Sequence, residues 1–276
     1  MVQMNNFLSG APNMLTPLML VDLDDTLFQT HRRITPQADF KMVTTDKQGQ
    51  PLAYMNPIQQ HFVQWLLHNT HLIPVTARSA EALSRVHLPF DYGAVCSHGG
   101  TVLNADFSVN REWHIQMQCA LAPYQKKQQI LIEVLQKQAL EFGSIRTWVV
   151  DEQGLGLYVV AKQNTENDNP YAPNFLPQLL NTLSPSLLED FYFHLNGNNL
   201  ALIPKPVSKA NAARFLLQRF ASQQRPILGF GDSLSDVEFL NLCHWWGMPN
   251  HSQLNRWVTH NLTQQYKEEG YYGDYQ

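Results

Sequence analysis

Cysteine is scarce and scattered in this chain. Cys96, Cys119 and Cys243 form no C-x-x-C pair, and an odd count argues against a disulfide framework. A reducing, cytoplasmic compartment suits three such thiols. Charge is also sparse: Asp, Glu, Lys and Arg make up 15% of the residues, with net charge −4 and a pI near 6.2. That balance excludes the basic field that gathers nucleic acid or anionic lipid. No apolar run reaches the length of a membrane span. The first residues carry no Lys or Arg before Arg32, and Pro17 breaks their apolar run, so neither a secretory signal nor a membrane anchor is expected there. Internal repeats and low-complexity tracts are missing, and nothing in the pattern signals an oligomeric state. The partner this leaves is a small molecule.

What is present is a packed globular composition, 44% hydrophobic and 11% aromatic over 276 residues. That is enough for one large domain, or for a core with a smaller second domain. The most informative stretch is Leu18-Met-Leu-Val-Asp22-Leu-Asp24-Asp25-Thr26. Its apolar half reads as a fully buried strand of a parallel sheet. It then stops at three acids within four residues. Clustered carboxylates raise one another's pKa unless a cation sits among them. A divalent-ion site at the carboxyl end of a core strand explains the pattern, because open α/β sheets hold their ligands at that edge. The competing reading is a solvated turn with helix-capping aspartates.

Further along, alternation on both sides of Lys47-Gln48-Gly49-Gln50 predicts a hairpin flap between Thr30 and Asn56. Pro57 opens a helix to Leu67. His61, His68 and His71 on or after it are better read as solvent-facing or core histidines than as metal ligands. His71-Leu-Ile-Pro-Val-Thr76-Ala-Arg78-Ser79 is a second strand ending in polar residues, followed by a helix whose amides favour phosphate. Tyr92 to Gly100 reads as a third such unit. From Arg111 the texture changes to helix (123–142), two strands (144–150 and 155–162), a polar linker (164–170), helix (175–183) and two strands around Gly197. Turns that short join antiparallel strands. The core resumes with a helix from Val207-Ser208-Lys209 and the strand Ile-Leu-Gly-Phe, which ends in Gly231-Asp232-Ser-Leu-Ser-Asp236. The tail closes with a strand and a polar helix. The expected fold is α/β: a doubly wound, Rossmann-like parallel-sheet core (1–107 and 204–276) with an inserted α+β cap domain at 108–203.

The order of these pieces carries more than any one of them. D-x-D-x-T, a Thr after a strand, a Lys opening a helix and G-D-x-x-x-D after a strand follow one another. In that order the chain resembles the haloacid dehalogenase-like superfamily. With an α+β insertion between the second and third motifs, it looks like subfamily IIB, the sugar-phosphatase branch that includes sucrose-phosphate, mannosyl-3-phosphoglycerate and trehalose-phosphate phosphatases.

The resemblance implies a Mg²⁺-dependent phosphatase acting on a small phosphorylated metabolite, in particular a sugar phosphate. Asp22 would be the nucleophile, forming an aspartyl-phosphate. Asp24 would be the general acid and then the base. Asp22, the backbone carbonyl of Asp24 and Asp232 would hold Mg²⁺, with Asp236 behind them holding its waters. Thr76 and Lys209 would stabilise the transferring phosphoryl group. Some positions depart from the family pattern: Ala77 stands where glycine is usual, Ser235 where asparagine is, and His98-Gly99-Gly100 where N-G-A is. Arg78, His98 and Gly99 then border the substrate, while Arg146, Trp148, Tyr158 and His194 on cap strands and Asn250 in a core loop are candidates for its non-phosphate part. A phosphomutase of the same superfamily is the enzymatic alternative and a silent scaffold of this fold the non-enzymatic one. A signalling receiver domain also uses Asp, Thr and Lys, but it is about half as long and has no insertion.

Overall fold

The computed structural model describes residues 15–164 and 174–268. Residues 165–170 of the expected polar linker, and the first fourteen residues, lie outside them. The apolar run before the acids is strand β1 (Leu18–Val21), buried along its whole length. It sits inside a parallel sheet between β5 (His71–Pro74) and β12 (Ile227–Phe230), with β13 (Trp245–Gly247) on the outer edge of β12. Burial on both faces explains why β1 has no polar alternation. Its register aligns Val21 with Pro74 and with Phe230, so the segments that follow these three strands leave the sheet side by side. Asp22, Thr76 and Asp232 are thereby brought to one sheet edge.

Between β1 and β5 the chain makes the expected flap, a three-stranded sheet of β2 (Gln29–Thr30), β3 (Lys41–Thr45) and β4 (Pro51–Met55), and helix α1 (Pro57–Asn69). Asn56 and Gln59 close a reciprocal capping box at the start of α1, with Pro57 at its first position. The helix after Ser79 is shorter than expected, α2 (Ala80–Ser84). The segment read as a third strand ending in polar residues is β6 (Ala94–Cys96), which also forms a hairpin with β7 (Thr101–Leu103). It joins the main sheet through one parallel bridge from Val95 to Val75. The sequence between the hairpin's strands is too short for a crossover.

Helix α3 (Arg111–Leu121) was not foreseen. Its buried face, Trp113, Met117 and Leu121, packs into the core cluster, and the Trp113 indole donates to the Gly99 carbonyl at 3.0 Å. Then come α4 (Gln125–Ala139), β8 (Ile145–Glu152), β9 (Leu155–Gln163), α5 (Leu176–Thr182), α6 (Pro185–Leu188), β10 (Phe191–Asn196) and β11 (Asn199–Pro204). The four strands form an antiparallel sheet in the order β10-β11-β9-β8. One face packs on α4 and α5 through Leu131, Leu135, Val159, Ala161, Leu179, Leu200 and Leu202. The other face, with Tyr158, Val160, Ala201 and Ile203, joins the core cluster. Helix α7 (Lys209–Leu217), helix α8 (Val237–Leu240) after the second acid-rich segment, and helix α9 (Gln253–Glu268) complete the core. No helix among the described residues is long and apolar enough to cross a membrane.

The inserted sheet is fastened to the core by a buried carboxylate. Glu152, at the end of β8, accepts the Ser97 hydroxyl proton at 2.7 Å and the Ala80 amide proton at 3.1 Å. Beside it Leu157 packs so tightly on Gly100 that an added Cβ would lie 2.4 Å from the leucine. Replacing Glu152 by Ala strands two buried donors. We expect a loss of about 1–3 kcal/mol in denaturant unfolding, with faster amide exchange at the start of α2; an unchanged exchange rate there would remove Glu152 as the fastening.

Candidate active site

Lys209 is the first residue of α7, and Ser208 caps that helix by accepting from the Asn211 amide. The backbone before it is fixed by close packing. Gly99, at φ +99°, lies so near Ser208 that an added Cβ would be 2.1 Å from the Ser208 carbonyl oxygen. Only glycine fits there. Gly99, expected to border the substrate, therefore has a steric role in positioning Lys209.

The Lys209 ammonium, 8% exposed, lies 2.7 Å from Asp22 Oδ1 and 2.7 Å from Asp236 Oδ1. Burial opposes its charge, but attraction and hydrogen bonds from the two carboxylates outweigh burial and raise its pKa above the ordinary lysine value. Asp236 is fully committed. Its second oxygen accepts from the Asp232 and Ser233 amides and from the Ser233 hydroxyl, at 3.2, 3.0 and 2.8 Å. Burial disfavours its charge, yet Lys209 and the Ser233 donors pull its pKa below the usual carboxylate range. Asp22 shows the opposite balance: burial, Asp236 and Asp232 raise its pKa against the pull of Lys209. Its Oδ2 receives only a long 3.4 Å bond from Thr26. Asp232 is raised to about 7 by burial and then by Asp236 and Asp25, with Lys209 and Arg33 opposing.

An oxygen from each of Asp22, Asp232 and Asp236 can lie within 4.8 Å of the others. Three carboxylates against one ammonium leave about two negative charges uncompensated, which is the charge of a divalent cation. The oxygen-only donor set fits a hard ion such as Mg²⁺. With both Asp236 oxygens already bonded to protein, Asp22 and Asp232 would be the direct ligands of such an ion, and Asp236 would support them from behind.

Asp24 is turned elsewhere. Both its oxygens are held by Arg78, at 2.6 Å from Nε and 2.7 Å from Nη2. This fork-to-fork pair has a largely buried guanidinium stacked at 5.4 Å over the Phe28 ring. Sequence spacing alone gave no sign of the pairing, which joins residues 54 positions apart. Thr76 is 1% exposed and its hydroxyl oxygen accepts from the Arg78 amide at 3.1 Å, leaving its own proton to donate.

The roof over this cluster is the open face of the inserted sheet. The register aligns Trp148 with Val160, Val160 with Ala201, and Ala201 with His194, a row about 14 Å long across four strands. His194 and Tyr158 meet His98 of the core, with ring centroids 5.3 and 5.4 Å apart. His98 holds a left-handed backbone conformation at φ +58°. Burial, Lys209 and His194 lower its pKa well below the ordinary value; burial and Lys209 lower that of His194 against Asp236. Both rings are neutral at pH 7. Trp148 is 40% exposed at the far end of the row. Arg146, one step further out, bonds Asn164 at 2.9 Å and is not brought to the catalytic cluster. Asn250 is exposed in the loop before α9, where its carbonyl accepts from Asn255. The Asp232 carbonyl accepts from the Leu254 amide, which ties that loop to the site. Sequence reasoning had Thr26 as the last residue of D-x-D-x-T without giving it a role, and it missed Ser233 and Glu152; neither of these carries a pattern that marks it before its partners are known.

The raised Asp232 carboxyl has a consequence for stability without metal. Its folded pKa, about 7, lies above that of the unfolded chain, so ionising it costs folded-state stability as pH rises from about 4 to 7, and adds nothing further above 7. Asp236 has the reverse sign: its contribution is present above the unfolded carboxylate pKa and lost as acid protonates it. In chelator, Asp232→Asn should therefore raise stability at pH 8 by about 1–3 kcal/mol and flatten the decline between pH 5 and 8. Thermal unfolding across that range checks it. A variant less stable than the parent at pH 8 would show that Asp232 is not a strained carboxylate.

Residues 159–270 match the family model of haloacid dehalogenase-like hydrolases. Among solved structures, the fold is similar to the sucrose-phosphatase of Synechocystis sp. in complex with sucrose and phosphate, with a TM-score of 0.52 and 18% identity, covering 95% of this chain and 90% of that one. A Thermoplasma acidophilum protein is similar at TM-score 0.52 and 13% identity, covering 87% of each chain. The C-terminal domain of Candida albicans trehalose-6-phosphate phosphatase is similar at 0.50 and 14%, covering 83% of this chain and 80% of that one. No curated protein matches the sequence. These identities speak to fold alone, and over residues 159–270 the chain is similar to the haloacid dehalogenase-like hydrolases.

Proposed function

We propose that the chain is a phosphatase for a small phosphorylated metabolite, a sugar phosphate, working through an aspartyl-phosphate on Asp22. The observation that carries this reading is the buried bridge from Asp22 through Lys209 to Asp236, with Asp232 in reach of the same cation. The three similar folds include two phosphatases of disaccharide phosphates, which favours a substrate of that class. The free, dispersed cysteines fit action in the cytoplasm.

Lys209 fixes one oxygen of Asp22, so the carboxylate is oriented before substrate arrives. Asp22 attacks phosphorus, the bond to the leaving sugar oxygen breaks, and Asp24 gives that oxygen its proton. Asp24 then takes a proton from the water that cleaves the aspartyl-phosphate. Lys209 and the Thr76 hydroxyl meet charge on the phosphoryl oxygens. A Mg²⁺ ion held by Asp22 and Asp232, with the Asp24 carbonyl, would screen the meeting of two anions. Asp24 can act only when Arg78 releases it, and an incoming phosphate is the anion that competes for that guanidinium. The 108–203 insertion acts as the cap: Trp148, Tyr158, His194 and the core residue His98 present an uncharged, hydrogen-bonding surface suited to sugar hydroxyls.

Phosphate release from a panel of phosphorylated sugars and from aryl phosphates tests this. Asp22→Asn should abolish release while leaving the fold intact, and retained turnover would remove Asp22 as nucleophile. Asp24→Asn should slow poor leaving groups by about 10²–10⁴ and good ones much less; equal slowing would argue against the acid role. Transfer to a second sugar hydroxyl in preference to water would make the enzyme a phosphomutase.

A further inference from the structure

The opposite edge of the parallel sheet, where β12 and β13 begin, holds a surface cavity of about 480 Å³. Its lining includes Phe220, Gln224, Arg225, Ile227, His244 and Trp245. Arg225 is only 8% exposed. No hydrogen bond or ion pair joins its guanidinium to any described residue, and its Nε is buried without an acceptor. Two aromatic rings flank it instead, with centroids 5.7 Å away at Tyr92 and 5.9 Å away at Phe220. Asp91, beside Tyr92 in sequence, makes no ion pair with it.

A guanidinium cannot shed its proton to relieve burial. Buried charges are ordinarily paired, because removal from water is expensive. Ring faces compensate only part of that cost. The backbone nevertheless commits Arg225 to this place. Gln224 takes a left-handed conformation, at φ +46°, and Pro226 after Arg225 biases that residue toward an extended backbone. His244 accepts the Ile227 amide proton on Nδ1 at 2.9 Å, which leaves Nε2 as an N–H donor. Trp245 is 65% exposed and supplies an apolar wall. The cavity thus has one unmatched cation, a second neutral donor and aromatic sides, in a volume suited to a small ligand.

We propose that this cavity binds a small aromatic carboxylate, its anionic group on Arg225 and its ring against Phe220 and Trp245. One fixed positive charge among the lining residues matches a monoanion, whereas a phosphate dianion calls for more. The site is separate from the Asp22 cluster and does not depend on the catalytic reading.

Isothermal titration of the full chain with phenylacetate, phenylacetamide and inorganic phosphate tests it. Phenylacetate should bind with Kd below about 1 mM, phenylacetamide at least tenfold more weakly, and phosphate should not displace the carboxylate. Arg225→Met should lose at least tenfold in affinity while its melting temperature holds or rises. Trp245→Ala, an exposed change, should also weaken binding. No binding by the parent at 10 mM, equal affinity for acid and amide, displacement by phosphate, or unchanged affinity in Arg225→Met would each overturn the proposal. If Arg225→Met does not fold, the acid–amide comparison and Trp245→Ala decide it.

Discussion

The ammonium of Lys209 is the constraint on which the rest of the structure turns. It is buried, and it bonds directly to Asp22, at the end of β1, and to Asp236, after β12. Without it Asp22 and Asp236 would face each other in a low-dielectric site with no compensation, and one of them would take up a proton. With it, Asp236 stays ionised, and the remaining excess charge is concentrated on Asp22 and Asp232, where a divalent ion fits. The surroundings serve this placement: Ser208 caps the helix that begins with Lys209, and Gly99 gives way to its backbone.

The roof follows from the same charge. Lys209 depresses the basicity of His98 and His194, on top of what burial does, so the cap-side lining is neutral at working pH. Burial likewise keeps the Tyr158 phenol protonated. In the reading proposed above, a neutral roof with fixed donors and acceptors favours a polyhydroxyl body over a second anionic group. The Glu152 carboxylate, from the end of β8, is satisfied by Ser97 and the Ala80 amide rather than pointed at the site.

Much of this was legible in the chain itself, and the physical reason is local. β1 announces itself because a strand buried on both faces must be continuously apolar. The acids mark its end because they have no place inside. Lys209 and the Gly231–Asp236 segment stand where the strand-and-helix pattern puts them. The unforeseen features are pairings across long sequence separations: Arg78 with Asp24, Glu152 with Ser97, the His98–His194–Tyr158 contact. Helix α3 escaped notice because its buried face, Trp113, Met117 and Leu121, is widely spaced among polar residues. The third strand, Ala94–Cys96, was legible, but its hairpin partner Thr101–Leu103 was not, because three residues give too short a pattern to mark a strand.

The Arg78–Asp24 pair gives the resting site its logic. In the mechanism proposed above Asp24 must face the leaving sugar oxygen, yet an arginine fork occupies both its carboxylate oxygens. The two requirements are reconciled if Arg78 is shared between Asp24 and the substrate in turn. A phosphate dianion attracts a guanidinium at least as strongly as a carboxylate does, and the Arg78 amide bonds the Thr76 hydroxyl, which in the proposed mechanism meets the same phosphoryl group. Once Arg78 turns to phosphate, both Asp24 oxygens are released. In that reading substrate binding frees the side chain that meets the leaving oxygen, and an empty site keeps it tied to Arg78.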